Sequence, residues 1–157
     1  MENYIINNNT IAVIGIDNNT CKVIEIEDEM IVNKSCLSVV EDSCLYYGSS
    51  YQGRVDAANM LISNSYKVPI VVENINNLIF FPTISPNSSL CMWISIDMVF
   101  NNIVDKDTNS CKIIFKNNKE ILTNLSKYSM ENQLLKSYML YSNMKSRNCV
   151  KKNEERY

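Results

Sequence analysis

The segment SCLYYGSSYQGR, residues 43–54, lies between two apolar helical patterns in the middle of a chain whose flanks read as strands. Gly48 marks a turn, and Ser49 with Gln52 has the Ser-x-x-Gln spacing of a capping box, in which two side chains satisfy free amides at a helix start. Apolar residues then recur at helical spacing: Val55, Ala58 and Ile62. The pattern predicts a central capped helix over residues 50–63.

Both flanks of this segment carry β-branched or alternating runs that are typical of strands. Before it, the pattern predicts strands at residues 10–16, 20–26 and 30–33 and a short helix that carries Cys36, Val39, Val40 and Cys44 on one face. After it, the predicted strands are residues 68–73, 78–81, 91–99, 110–116 and 120–123. We therefore predict an α+β fold with mostly antiparallel sheets, a central capped helix and a C-terminal amphipathic helix.

The last predicted element is an amphipathic helix that Ser129 caps. Its apolar stripe consists of Met130, Leu134, Tyr138 and Tyr141. Such a stripe packs first of all against a core, and it would suit a dimer surface if it were exposed. We expect residues 1–146 to form a single domain and residues 147–157 to form a polar tail that frays.

The composition excludes several classes of function. The 157 residues include no histidine, which removes Ser-His and Cys-His nucleophile pairs and the usual zinc sites with a histidine ligand. The six cysteines contain no Cys-x-x-Cys pair. We expect no enzyme, catalytic residue, cofactor, metal or small-molecule substrate. Since no run is long enough to span a bilayer and the N-terminus does not resemble a signal peptide, we expect a cytoplasmic protein without membrane contact.

The charge of the chain is slightly negative and uneven. A net charge of −2 and a pI near 5.2 oppose a generally basic nucleic-acid binder. The first part of the chain is acidic around residues 25–29, whereas the end carries a run of cations: Lys145, Arg147, Lys151, Lys152 and Arg156. Screening confines electric fields to about 10 Å at ordinary salt, so a local basic surface can still bind phosphates.

Three motifs follow one another in the order and rough spacing of the ComK family of bacterial competence transcription factors. They are the segment 43–54, FPTIS at residues 81–85 and CMWIS at residues 91–95. The chain resembles this family over most of its length, and the resemblance includes the final Glu-Arg-Tyr. The resemblance implies a transcription activator that binds double-stranded A/T-rich DNA, chiefly through the minor groove, as a dimer or higher homo-oligomer.

Arg54 is the strongest candidate for a contact with DNA. It lies in the first turn of the predicted helix, where the positive end of the helix dipole repels a cation, so it is best placed beside an anion. We expect backbone phosphates to be held by Ser49, Ser50, Gln52 and Arg54, with secondary contacts from Lys67, Lys145 and Arg147. The alternative is an ordinary capped helix whose arginine is solvated or neutralised by Glu41, Asp42 or Asp56.

Two further features have both a functional and a structural interpretation. Trp93 would suit a wedge at an unstacked base step, but a lone tryptophan on an alternating strand is more often part of the core. The uncharged loop 83–89 would approach DNA only through hydroxyls and amides.

Two other functions remain open. The first is a ComK-related protein-interaction module that has lost DNA binding and acts through mixed oligomers, which the acidic charge and the sparse cations around residues 43–54 favour. The second is an enzyme or ligand sensor that holds a phosphate group in the Gly-Ser-Ser turn.

Overall fold

The computed structural model describes the backbone of residues 1–62 and 66–154, and the side chains of residues 1–62 and 66–147. The elements of that part are β1 (Thr10–Asp17), β2 (Thr20–Glu25), β3 (Glu29–Val32), α1 (Cys36–Tyr46), α2 (Tyr51–Ile62), β4 (Ile70–Glu73), β5 (Leu78–Pro82), β6 (Met92–Ser95), β7 (Val99–Val104), β8 (Cys111–Phe115), β9 (Glu120–Leu122) and α3 (Lys127–Glu154). A short 3-10 turn, Ile96–Met98, joins β6 to β7.

A six-stranded sheet in the order β3-β2-β1-β6-β5-β4 forms the centre of the molecule. Val13 of β1 lies opposite Val23 of β2 on one side and Trp93 of β6 on the other, and all three side chains are fully buried. Every strand pair in the described residues is antiparallel. The predicted α+β fold with mostly antiparallel sheets is therefore confirmed.

The second sheet has three strands in the order β7-β8-β9. Its first strand begins within the region that we predicted to be a single strand, so that prediction was wrong. The single strand predicted over residues 91–99 ends at Ser95, and the chain turns through Ile96–Met98 before β7 begins in the other sheet. Apolar residues at every second position fit a continuous strand as well as a strand followed by a tight turn, so periodicity alone does not locate the break.

Helix α1 packs on the central sheet with the face that its sequence predicts. Ser35 caps it, since the Ser35 Oγ accepts a hydrogen bond from the Ser38 amide at 3.2 Å. The buried residues of this helix are Cys36, Val39, Val40, Ser43 and Cys44. The cysteines thus serve as small apolar side chains, as expected inside a reduced protein.

Helix α3 differs from its predicted form in both its start and its buried face. It begins at Lys127, and the Ser126 Oγ accepts from the Ser129 amide at 3.2 Å, so Ser126 and not Ser129 is in the capping position. The buried face consists of Met130, Gln133, Ser137 and Leu140. Tyr138, which the predicted stripe included, is 52% exposed. The predicted apolar stripe was wrong at Tyr138 because the buried face includes two polar residues, Gln133 and Ser137, which an apolar pattern omits.

Gln133 shows how a polar side chain is accommodated in that face. Its Nε2 donates to the carbonyl of Pro82 at 2.6 Å and to that of Lys67 at 2.9 Å, which satisfies the buried amide. Helix α3 continues past residue 146 to Glu154, and the division into a domain of residues 1–146 and a tail of residues 147–157 stays a prediction. Among the described residues, none of the helices combines the length and apolarity needed to cross a membrane.

Candidate nucleic-acid interface

The junction of α1 and α2 is built by backbone hydrogen bonds around Gly48. Gly48 has φ +95°, in the left-handed region that favours glycine. The Ser49 amide donates to the Cys44 carbonyl at 3.1 Å and the Gly48 amide donates to the Leu45 carbonyl at 3.0 Å. These two bonds form a Schellman motif, which ends α1 and lets α2 start at Tyr51, three residues after the glycine.

The cap of α2 is Ser50, one residue later than the predicted capping box. The Ser50 Oγ accepts from the Gly53 amide at 2.9 Å. Gln52 does not reach back to the cap, because its Nε2 donates to Asp56 Oδ1 at 2.9 Å. A Cβ on Gly53 would lie 3.0 Å from the Ser49 hydroxyl oxygen and 3.1 Å from that of Ser50, so glycine lets both hydroxyls pack over the first turn.

Arg54 is half-buried and has no ion pair with a carboxylate of the described residues. Its Nη1 donates to the Asn74 Oδ1 at 3.2 Å, and its buried Nε has no partner there. Asp42 instead pairs with Lys34 at 2.6 Å. Within the described residues, Glu41, Asp42 and Asp56 therefore make no direct ion pair with the guanidinium.

Two clefts lie on either side of the buried stripe of α2. The Arg54 cleft, about 200 Å³, is lined by Arg54, Ala57, Ala58, Leu61, Val71, Asn74, Leu140 and Met144. The Lys67 cleft, about 360 Å³, is lined by Tyr51, Gln52, Val55, Tyr66, Lys67, Val68, Ser85, Pro86 and Asn87. The fold thus separates Arg54 from Gln52 and Lys67, and it brings the loop 83–89 next to the latter two.

Lys136, a cation near the Lys67 cleft, was not among the residues that we predicted from the sequence. Its Nζ donates to the Tyr66 carbonyl at 3.2 Å. Burial lowers the pKa of Lys136, and the positive charge of Lys67 lowers it further. Nothing in the sequence signals this pair, because the two lysines lie on different elements, 69 positions apart.

The remaining candidates lie at the edges of these clefts. Arg147 is exposed and follows Leu140 and Met144 at helical spacing, so it shares the α3 face that lines the Arg54 cleft. The Lys145 Nζ lies 4.8 Å from the centroid of the Tyr141 ring, in a cation–π contact. Ser50 and the acidic Glu41 line the same depression at the start of α2.

The strand parts of the motifs FPTIS and CMWIS lie in the core, and only Ser85 of FPTIS lines the Lys67 cleft. They pair as β5 and β6, with Phe81 opposite Ile94 and Pro82 opposite Trp93. Trp93 is fully buried and meets the Tyr51 ring edge-on at a centroid distance of 6.1 Å. The core interpretation of Trp93 is confirmed, and its role as a wedge between bases is wrong because no base can reach it.

Comparisons with known proteins agree with the three motifs. The model of the ComK protein family matches residues 1–149. The competence transcription factor of Bacillus subtilis (strain 168) is 33% identical over 150 residues, which cover 94% of this chain and 78% of that protein. No solved structure gives a significant match.

These matches first define a class, that of transcription factors and not of enzymes. Within that class, the chain belongs to the ComK family. The resemblance seen in the sequence is thereby confirmed.

Proposed function

We propose that this protein is a cytoplasmic DNA-binding transcription regulator that recognises double-stranded A/T-rich DNA, largely through the minor groove, as a homo-oligomer. The observation that carries the proposal is the state of Arg54. This residue of the family motif is partly buried, and its guanidinium makes no ion pair with the described carboxylates. A partly desolvated cation calls for an anionic partner, and a backbone phosphate supplies one.

The distribution of cations around α2 supports contact with two phosphate strands. Arg54 and Arg147 belong to one side of the helix, and Lys67 and Lys136 belong to the other. Cations on both sides of one element suit the two backbones that border a groove. Ser49 and Ser50 add hydroxyl groups at the start of α2, Gln52 adds an amide on the Lys67 side, and Lys145 adds a contact from α3.

Specificity for A/T-rich sequences would come from the shape of the groove. The minor groove of an A-tract is narrow, and this concentrates negative potential in the groove and attracts arginine side chains. The protein has 15 cationic and 17 acidic residues, so its net charge is slightly negative and opposes binding to DNA. The strong negative potential of a narrow minor groove, acting on the local cations, helps to offset that net charge.

Exposed apolar side chains support the oligomeric state. Strand β7 is an edge strand without a charged residue, and its Phe100 is 73% exposed. Edge strands that stay monomeric are usually protected by charge or proline. A second apolar patch lies on α3, at Leu135, Tyr138 and Met139.

The proposal is tested by titrating three labelled duplexes at two salt concentrations: an A/T repeat, the same repeat with I·C pairs, and a G·C control. An I·C pair keeps the A·T pattern of the minor groove because inosine lacks the amino group that guanine places there. We expect similar affinity for the first two duplexes and much weaker binding to the third. Loss of binding to the I·C duplex would contradict minor-groove recognition, and equal binding to all three would contradict specificity.

A second candidate function is a protein-interaction module that has lost DNA binding and acts in mixed oligomers. The Glu41 carboxylate beside Ser50 and the net charge of −2 favour it. Under this alternative, none of the duplexes binds at low salt, while sedimentation of the chain with a DNA-binding family relative shows a mixed species.

A further inference from the structure

We propose that the turn between β4 and β5, residues 74–77, enters the minor groove and that the Ile75 side chain inserts between neighbouring base pairs. This inference rests on the function proposed above and names the element that reads the duplex. The ligand is a base step in double-stranded A/T-rich DNA, met by one apolar side chain with side-chain amides on both sides.

The exposure of Ile75 is the first observation. It is 90% exposed, the largest value for a large apolar side chain in the described part of the chain. Gly, Asn and Asp are the usual residues of such turns, and the three other residues here are asparagines, of which Asn77 has φ +53°. Folding explains the asparagines but not the isoleucine, which packs against nothing.

The turn is also held in one shape before any ligand arrives. Glu73 is buried, and its carboxylate accepts hydrogen bonds from the Ile75 amide and, at 2.9 Å, from the Asn76 amide. Its two oxygens are therefore occupied inside the turn and do not face a phosphate. A fixed turn loses little conformational entropy on binding, so the projecting side chain is preorganised for insertion.

Arg54 connects this turn to the family motif. Its Nη1 donates to the Asn74 Oδ1 at 3.2 Å, so the cation and the turn belong to one surface. Asparagine amides can donate to the N3 of adenine and the O2 of thymine, the acceptors that A·T pairs present in the minor groove. Minor-groove proteins that bend DNA combine such polar contacts with an apolar wedge, and isoleucine is one of the residues they use.

A DNA partner fits this turn better than a protein partner. A stable protein interface covers about 800 Å² on each partner, far more than the tip of a four-residue turn offers. One inserted side chain between amides and an arginine is enough to unstack a base step. The one carboxylate at the turn, Glu73, is buried and bonded to the turn's own amides, and Arg54 supplies a cation beside it.

The test treats unmodified A/T-repeat duplexes with permanganate, because it oxidises the C5–C6 double bond of thymine more readily where stacking is lost and leaves the minor groove unchanged. The wild-type protein should raise the thymine reactivity at one step of the repeat. Ile75→Asn should abolish that rise and lower the affinity about tenfold, while Ile75→Leu should keep both. Ile31→Asn is the matched control, since Ile31 is also exposed but lies on β3, at the opposite edge of the six-stranded sheet.

Each result separates this inference from the proposed function. If the wild type binds the A/T repeat and Ile75→Asn binds it equally with the same thymine reactivity, the turn is not the reading element and the function stands. If Ile75→Asn changes sedimentation but not DNA affinity, Ile75 meets a protein and the inference fails. If the wild type binds no duplex, both proposals fail. Equal urea midpoints for Ile75→Asn and the wild type show that the fold is intact.

Discussion

Arg54 combines a buried stem, a single amide partner and a charge that no described carboxylate compensates. In an isolated helix such an arginine would be solvated at no cost. Here the packing of α2 against α3 and the turn after β4 removes part of its water, so the guanidinium gains most from an external anion. Trp93 also belongs to a family motif, but its side chain is fully buried in the core.

Arg54→Ala is therefore expected to weaken binding to every duplex by a similar factor, because phosphate contacts carry no sequence information. The slope of log affinity against log salt should fall by about 1, the release of one counterion. Fluorescence anisotropy over a range of salt concentrations measures both effects. Lys106→Ala, an exposed cation in the turn between β7 and β8, should leave the slope unchanged. An unaltered slope for Arg54→Ala would remove this residue from the interface.

At the scale of elements, the junction of α1 and α2 sets the direction of the helix that carries the site. The Schellman motif at Gly48 ends α1, and the Ser50 hydroxyl satisfies an amide of the first turn of α2. Arg54 and Gln52 lie within this first part of α2, so their positions depend on the cap.

Ser50→Ala should lower the free energy of unfolding by about 1 kcal/mol, because the Gly53 amide loses its acceptor. Ser49→Ala is the matched control, and it should cost only a few tenths of a kcal/mol because its hydroxyl makes one long contact, at 3.4 Å. Urea unfolding of the two variants measures the difference. Equal losses would show that Ser50 does not act as the cap.

At the scale of the whole molecule, the core buries several groups that become anionic at high pH. The described cysteines are free and buried: Cys21, Cys36, Cys44, Cys91 and Cys111. Burial raises the pKa of Cys44 to about 11 from an ordinary 9.0, against the opposing effect of the Arg54 charge. Burial also raises the pKa of Cys21 to about 12 and that of Tyr51 to about 12.

Each of these pKa values is higher in the folded state than in the unfolded chain, so the folded state binds the proton more tightly. The contribution of these groups to the free energy of unfolding should be constant from pH 7 to about 8 and fall as the pH rises toward 11, since the unfolded chain releases these protons at lower pH than the folded state does. Urea midpoints between pH 7 and 11, with reductant present, measure the decline. Cys44→Ala should make it shallower, and a flat profile for the wild type would contradict the expectation.

Much of the fold depends on local interactions that can be recognised in the sequence. The β-branched strands 10–16 and 20–26, the cap at Ser35 and the turn at Gly48 each depend on residues within a few positions of one another. The family motifs could likewise be read directly, and the strand predictions at residues 78–81 and 91–99 already favoured a core position for Trp93, although not the pairing of β5 with β6. Periodicity and capping involve residues close together in the chain, so the sequence alone is enough to detect them.

The candidate site could be predicted only as separate residues, and tertiary structure determined how they combine. Arg54 meets Asn74, Lys136 donates to the Tyr66 carbonyl, and Gln133 is buried because two distant carbonyls accept its amide. The break at Ile96–Met98 was equally invisible, since it depends on which sheet each strand joins. Contacts between residues far apart in sequence depend on how the sheets and helices pack, and no local pattern encodes that packing.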